Sequence, residues 1–316
     1  MNSSETSRLL LALDIGGSHV SAALCALDDL RVIRLTGAPL AGVSSFDGFV
    51  DVLYLLGREL AGGPRRLAGA ALVMPGPFDC IAGVSLMKQK PDWLYGRDLR
   101  RALAERFGWA SVRLQFLNNP AAFLTGEMAA GSARGARRAV GLTLDSEIGS
   151  AFAIQGQCVT EGPGVPLGGE IWNFPYGDGT VEDLISTRAV KADYAKRTGK
   201  TKEVEVIALA AASDPDARRV FEKLGDILGQ VIRDVIGPFE PEVVVLGGAM
   251  ARSSRYFLPI AQKQINSVHL VRSGLLEQAQ LVGVAAWWRQ QENCTREPPA
   301  LPRTGAALQA DGASMM

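Results

Sequence analysis

The sequence predicts an α/β protein built as two lobes. Short apolar runs that stop at glycine turns alternate with segments of helical periodicity, the pattern of helices layered on sheets. That alternation starts again after Asn119, and the length of 316 residues suits two domains or one large bilobal unit. We place a first lobe over 8–118 and a second over 119–293, whose last helix can return to the first lobe. A disordered tail is expected over 294–316, where the chain turns to Glu, Pro, Ala and Gly.

Residues 9–14 read as a buried strand that stops at Asp14 and enters a turn of Gly16, Gly17 and Ser18; residues 20–24, small and apolar, give a second strand. Residues 46–60 carry apolar positions at helical spacing, with Ser45 as N-cap. A strand over 67–74 leads into Pro75, Gly76 and Pro77. A helix over 98–107 is closed by Gly108, and a strand over 112–117 delivers Asn118 and Asn119. Strands over 139–144 and 150–154 are joined by a turn holding Asp145, Ser146 and Glu147. After a Pro/Gly-rich loop over 162–169, residues 182–197 have helical character. Residues 216–236 form a long amphipathic helix with Val220, Leu224, Ile227, Leu228, Val231 and Val235 on one face. It stops at Gly237 and Pro238, and a strand over 243–246 leads to Gly247 and Gly248.

Composition removes several classes of function. Lys+Arg and Asp+Glu are equal at 33 each, so the net charge is zero, which argues against a nucleic-acid partner. No stretch approaches the roughly 20 apolar residues of a membrane span. Residues 1–8 lack the apolar core of a signal peptide, so a cytoplasmic protein is expected. Cys25, Cys80, Cys158 and Cys294 form no CxxC pair and read as reduced thiols. With only His19 and His269 in the chain, neither a local Cys/His zinc site nor a Ser-His-Asp triad is available.

Three strand-end turns carry the chemistry: the one after Asp14, the one at Asp145 to Glu147, and Gly247-Gly248. Glycine lets the backbone approach a ligand and aim N–H groups at phosphate oxygens, and an acid just before such a turn can hold magnesium through water. Any one of them is equally an ordinary tight turn; the set and its order give it meaning.

The motifs resemble those of the ROK family of sugar kinases, within the actin/hexokinase/Hsp70 superfamily. Asp14-Ile15-Gly16-Gly17-Ser18-His19-Val20 is similar to the family's first phosphate loop, and Met74 to Asp79 with Gly83 to its P-G-P-x-D segment. The run from Asn118 to Glu127 aligns without gaps on N-D-A-N-x-A-A-x-G-E, and Gly131 to Ala136 is similar to the G-x-x-R-G that follows. Gly169-Glu170-Ile171 matches the start of G-E-I-G-H, and Glu182 with Ser186 the end of C-x-E-x-x-x-S. The run from Glu242 to Gly248 resembles the strand and turn that cover adenosine. The resemblance spans about residues 9 to 288. It implies a two-lobed actin-like ATPase (ribonuclease H-like) fold, each lobe a mixed sheet flanked by helices. It also implies transfer of the terminal phosphate of ATP, with magnesium, to a hydroxyl of a hexose or amino sugar, commonly the 6-OH. Carried over by position, the sugar would meet Gly76, Asn118, Asn119, Glu170, Asn173 and Glu182. The nucleotide and its phosphates would meet Asp14, Gly16, Gly17, Ser18, Asp145, Ser146, Glu147, Gly247 and Gly248, with magnesium at Asp14 through water. A homodimer is expected by the same analogy. The family's repressors carry a helix-turn-helix before the phosphate loop; with the loop opening at Asp14, the regulator branch is not expected.

The departures all bear on catalysis. Asn119 stands where relatives have the aspartate that accepts the hydroxyl proton, and an amide cannot take up a proton at neutral pH. The second phosphate turn, G-T-G in relatives, aligns with Asp145-Ser146-Glu147. Those acids admit three readings: solvated turn charges, a substitute magnesium site, or a degraded nucleotide site. Asn173 replaces the histidine of G-E-I-G-H. The cysteines of the family's zinc element are absent around 176–181, so no zinc is expected, and Trp172, Phe174 and Tyr176 are expected to pack that region apolarly instead. Function therefore divides between a sugar kinase, a catalytically silent sugar binder, and a scaffold redirected to another carbohydrate reaction with Asp145 and Glu147 as acid and base. All three require Asp14, the paired asparagines and Glu170 to converge on one cleft.

Overall fold

The computed structural model describes residues 8–62, 67–88, 91–265 and 268–296. A first sheet contains β1 (Leu9–Ile15), β2 (His19–Ala26), β3 (Val32–Pro39) and β4 (Leu67–Met74). After a small hairpin, β5 (Phe78–Asp79) with β6 (Val84–Ser85), it is completed by β7 (Leu114–Asn118), in the order β3-β2-β1-β4-β7. A second sheet contains β8 (Arg138–Leu144), β9 (Ile148–Ile154) and β10 (Gln157–Val159). A second small hairpin, β11 (Pro175–Tyr176) with β12 (Gly179–Thr180), precedes its last strands, β13 (Val243–Gly247) and β14 (His269–Arg272), and the order is β10-β9-β8-β13-β14. Each sheet pairs its first three strands antiparallel and adds its last two in parallel. The same topology is built twice, with helices on the flanks: a two-lobed α/β fold of two mixed sheets.

In the first lobe, α1 (Phe46–Ala61) starts where Ser45 accepts a hydrogen bond from the Gly48 N–H and stops at Gly62 in the left-handed region. It buries Phe49, Leu53, Leu56 and Leu60 against the sheet face carrying Leu11, Leu13 and Leu72. Each such side chain contributes about 1.5–3 kcal/mol. On the same face, α2 (Leu99–Phe107) is capped by Asp98 and closed by Gly108. The opposite face is covered by the last helix of the second lobe, α9 (Ala279–Arg296), whose Leu281, Val284, Ala285 and Trp288 meet Leu10, Ala12, Ala71 and Val73.

Between the sheets runs α3 (Asn119–Ala130), crossing α9 at backbone contact. A side chain at Gly126 would overlap the Ala279 carbonyl, and one at Gly283 would overlap that of Ala122. The second lobe adds α4 (Val181–Ile185), α5 (Thr187–Thr198), α6 (Val204–Ala210), α7 (Pro215–Val231) and α8 (Leu258–Gln262). Its core joins Val140, Leu142, Val244 and Leu246 to Val220, Phe221, Leu224 and Leu228 of α7.

The structure corrects several expected boundaries. The strand expected over 112–117 starts at Leu114, because Ser111–Arg113 form a 3-10 turn in which the Arg113 guanidinium donates to the Ala68 carbonyl at 2.9 Å. The helix expected over 182–197 is split at Ser186, which is extended (ψ 166°) and caps α5 through the Ala189 N–H. Residues 294–296, expected in a tail, lie in α9, which continues to Arg296; residues 297–316 lie outside the described residues. Among the described residues, no helix is long and apolar enough to cross a membrane.

Candidate functional site

The parallel strands of the first sheet end side by side. Asp14 is in register with Val73, and Met74 with Asn118, so Asp14, the 75–77 loop and the paired asparagines share one edge. Asp14 and the asparagines are separated by two strand spacings, about 10 Å. Side chains alternate across a strand: Leu11, Leu13 and Ile15 face α1, while Leu10 and Ala12 face α9, so Asp14 points to the α9 side, where α3 also packs. Its Oδ1 is buried without a hydrogen-bond partner, and burial pushes the carboxyl up to about 7. An orphaned buried oxygen costs about 1–3 kcal/mol. It is also an acceptor that the O–H groups of a cation's water shell would satisfy, so Asp14 fits the magnesium role. In the following turn Gly17 and Ser18 are exposed. The Gly16 N–H is already spent on the His19 carbonyl at 2.9 Å.

Asn118 precedes α3 but makes no side-chain cap to it. Its Nδ2 lies 3.5 Å from where a side chain on Gly76 would begin, so exposed Gly76 leaves room beside that amide. Asn119 opens α3, half-buried, and its Oδ1 accepts from Gln280 Nε2 of α9 at 3.4 Å. The next residue reaches the second lobe: Pro120 Cγ would be 2.7 Å from a side chain on Gly149. Since Leu144 pairs with Ile148 to close the β8–β9 hairpin, the turn of Asp145, Ser146 and Glu147 lies within a few residues of the asparagine pair.

That turn is internally engaged. Asp145 Oδ1 accepts from the Ala249 N–H at 2.7 Å, and its carbonyl accepts from the Thr187 N–H at 2.9 Å. Burial raises the Asp145 carboxyl, and the Ala249 hydrogen bond opposes the shift. Gly248 makes room for it: with φ of +80°, any side chain there would sit 2.6 Å from Asp145 Oδ2 and from the Leu144 carbonyl. Ser146 and Glu147 are exposed, whereas Gly247 is buried against the Phe123 ring of α3.

A hydrogen-bonded chain continues from the hairpin. The Ile148 N–H donates to Glu182 Oε2 at 3.1 Å, and Arg188 pairs with Glu182 Oε1. The Glu182 N–H donates to the Trp172 carbonyl at 3.0 Å, and Trp172 Nε1 donates to Glu170 Oε2 at 2.8 Å. Ser150 Oγ grips both sides of Glu170, donating to the Gly169 carbonyl at 2.8 Å and accepting from the Ile171 N–H at 3.1 Å. Glu170 and Asn173 are exposed. The aromatic packing expected from Trp172, Phe174 and Tyr176 is only partly formed. Tyr176 packs on the core, while Trp172 stays 43% and Phe174 38% exposed, because buried Ile171 is what anchors the segment.

The expected site residues thus fall into three joined groups: Gly76 with Asn118 and Asn119, Asp145 with Gly248, and Glu182 with Glu170. Asp14 stands one strand beyond the first group. Ala249, Arg188, Trp172 and Gln280 hold these groups and were not singled out from the sequence as their partners. Only Arg188, 6 residues past Glu182, offers a sequence signal. Glu127, fully buried, supports the end of α3 by accepting from the N–H groups of Ser132, Gly274 and Leu275 and from the Ser273 hydroxyl. Among the described residues, no cluster of three or more His, Cys, Asp or Glu stands together as a metal site.

Comparison with known proteins accounts for the fold. The chain belongs to the ROK family, whose sequence pattern matches residues 10–291. It is 27% identical over 314 residues to a glucokinase of Thermotoga maritima, covering 88% of this chain and 96% of the relative. A ROK family glucokinase from Streptomyces griseus, solved with glucose and AMPPNP, superposes with a TM-score of 0.73 at 20% identity, over 89% of this chain and 99% of that one. A ROK family protein from Streptococcus pneumoniae, solved with sucrose, gives 0.76 at 18% identity over 90% and 99%. The architecture is therefore that of the sugar-kinase-like, actin-type ATPase fold.

Proposed function

For this ROK family protein we propose ATP-dependent phosphorylation of a hexose or amino-sugar hydroxyl in a cytoplasmic protein, at a cleft between the lobes. The observation that carries the reading is Asp14, a carboxylate with one buried, unpartnered oxygen, beside an exposed glycine turn and on the edge that also presents Asn118 and Asn119. Magnesium and ATP, when bound, supply an electrophilic phosphoryl group with its charge partly neutralised. Asp14 would hold the cation through water, and the Gly17 and Ser18 turn would lie against phosphate oxygens. Asn118, Glu170, Asn173 and Glu182 supply the mixed donors and acceptors that vicinal hydroxyls require.

Asn119 orients the attacking hydroxyl, fixed in turn by Gln280, and solvent takes the proton. The protein therefore works without the general-base contribution of about 10²–10⁴-fold. Coupled detection of ADP over a panel of hexoses and amino sugars tests the reading. Sugar-stimulated turnover is expected, rising about 10²–10⁴-fold in Asn119→Asp. Folded protein with no sugar-dependent turnover in either form overturns it.

One observation favours a second reading. The Asp145 carboxylate takes the Ala249 N–H at the turn where a nucleotide would need it, as in a sugar-binding protein that has lost the phosphate donor. Calorimetric binding of sugar, with no binding of magnesium nucleotide, would select that reading.

A further inference from the structure

Trp172 departs from what its surroundings require of a structural residue. It is fixed at both ends, its carbonyl accepting from the Glu182 N–H and its indole N–H donating to Glu170 Oε2, yet the residue remains 43% exposed. The backbone on either side of Glu170 is clamped by Ser150. A rigid, open aromatic face therefore stands at right of way beside a carboxylate that has spent one hydrogen bond and keeps further acceptor capacity. Tryptophan with its N–H satisfied and its ring bare presents a large apolar surface at little entropic cost.

We propose that Trp172 is a stacking platform for the apolar C–H face of a pyranose ring, and that with Glu170 at its edge it determines which sugar the cleft accepts. A pyranose has the complementary shape: an apolar face formed by axial C–H bonds, and a rim of equatorial hydroxyls that donate to a carboxylate lying in the ring plane. Asn173, the next residue and exposed, adds a donor and an acceptor on the same segment. A ligand with axial hydroxyls on the stacked face would expose polar groups to the indole and be rejected. This inference rests on the proposed sugar site but adds a residue and a selection rule to it.

The test is isothermal calorimetry with a panel of hexoses and N-acetyl hexosamines, and separately with magnesium ADP, on wild type, Trp172→Ala and Trp172→Phe. Tryptophan fluorescence is recorded in the same titrations. Trp172→Ala should weaken the preferred sugar about 10–100-fold, which is about 1.4–2.8 kcal/mol. Trp172→Phe should retain most of the affinity, and neither change should alter ADP binding. Sugar should quench wild-type fluorescence, and the quench should vanish in Trp172→Phe. If wild type binds sugar and Trp172→Ala binds it within twofold, the platform is wrong and the sugar site stands. If the loss falls on ADP instead, the ring serves the base and the inference fails. If wild type binds no sugar at all, the proposed function falls and takes the platform with it.

Discussion

The two lobes place an aspartate at the C-terminal end of the same strand and treat it in opposite ways. Asp14 ends β1 with a buried oxygen that has no partner. Asp145 follows β8 and is answered by the Ala249 N–H, in a space that exists because residue 248 is glycine. A buried carboxylate is costly unless something answers it. The first lobe leaves that cost standing, while the second lobe meets it internally. Topology repeated in the two halves thus yields one turn with an unanswered carboxylate oxygen and one that answers its own.

Four measurements would break or sharpen the contrast. The largest effect is expected for Asp14→Ala, which should lower sugar-dependent ADP formation about 10²–10³-fold, the scale of losing a preorganised electrostatic partner; turnover within tenfold of the parent would put the open turn elsewhere. Next is stability. Burial pushes the Asp14 carboxyl up to about 7, from 3.8 for a free aspartate. The neutral form is therefore favoured by folding, and the penalty for its charge grows from about pH 4 and saturates above pH 7. In metal-free protein, Asp14→Asn should stabilise by about 2–4 kcal/mol at pH 8 and by almost nothing at pH 4, read from denaturant melts.

Asp145→Gly comes third. Freeing the Ala249 N–H and removing a charge should tighten magnesium nucleotide about tenfold, worth about 1.4 kcal/mol. Asp145→Asn separates the causes, since an amide oxygen can still hold Ala249. A full gain in Asp145→Asn would assign the effect to charge, and none would assign it to the captured N–H. The smallest effect belongs to Arg188→Ala. Its guanidinium is 66% exposed, so the pair with Glu182 is worth about 0–1 kcal/mol and the sugar KM should rise only a few-fold.

Much of this was legible in the sequence where burial is one-sided or complete. The strands β1, β4 and β13 and helix α1 show as apolar runs or stripes, and their caps at Ser45, Asp98 and Gly108 announce themselves. The sequence pattern hides α3 because it has no polar face: six consecutive residues, from Ala122 to Glu127, are buried. β3 escaped for the opposite reason, being mostly exposed, with Ile33 and Leu35 outward. At the candidate site, the motif residues rest on resemblance, and no sequence pattern points to their hydrogen-bond partners. The Glu127 carboxylate meets groups 146 to 148 residues away, and Ala249 contributes only a backbone N–H, which no side-chain pattern reveals. Trp172, expected to pack apolarly, stays 43% exposed, because a packed aromatic cluster and an exposed ring held at its N–H look alike in one dimension.

The return of α9 to the first sheet has a consequence for how the molecule comes into being. Leu10, Ala12, Ala71 and Val73 leave the ribosome well ahead of residues 281–288, from which their cover is drawn. The first lobe can close one side of its sheet with α1 and α2 but must wait for α9 before the other side is dry. Such distant pairing slows folding and leaves a sticky surface during synthesis, so a nascent chain stalled before α9 is the form that chaperones and proteases would encounter.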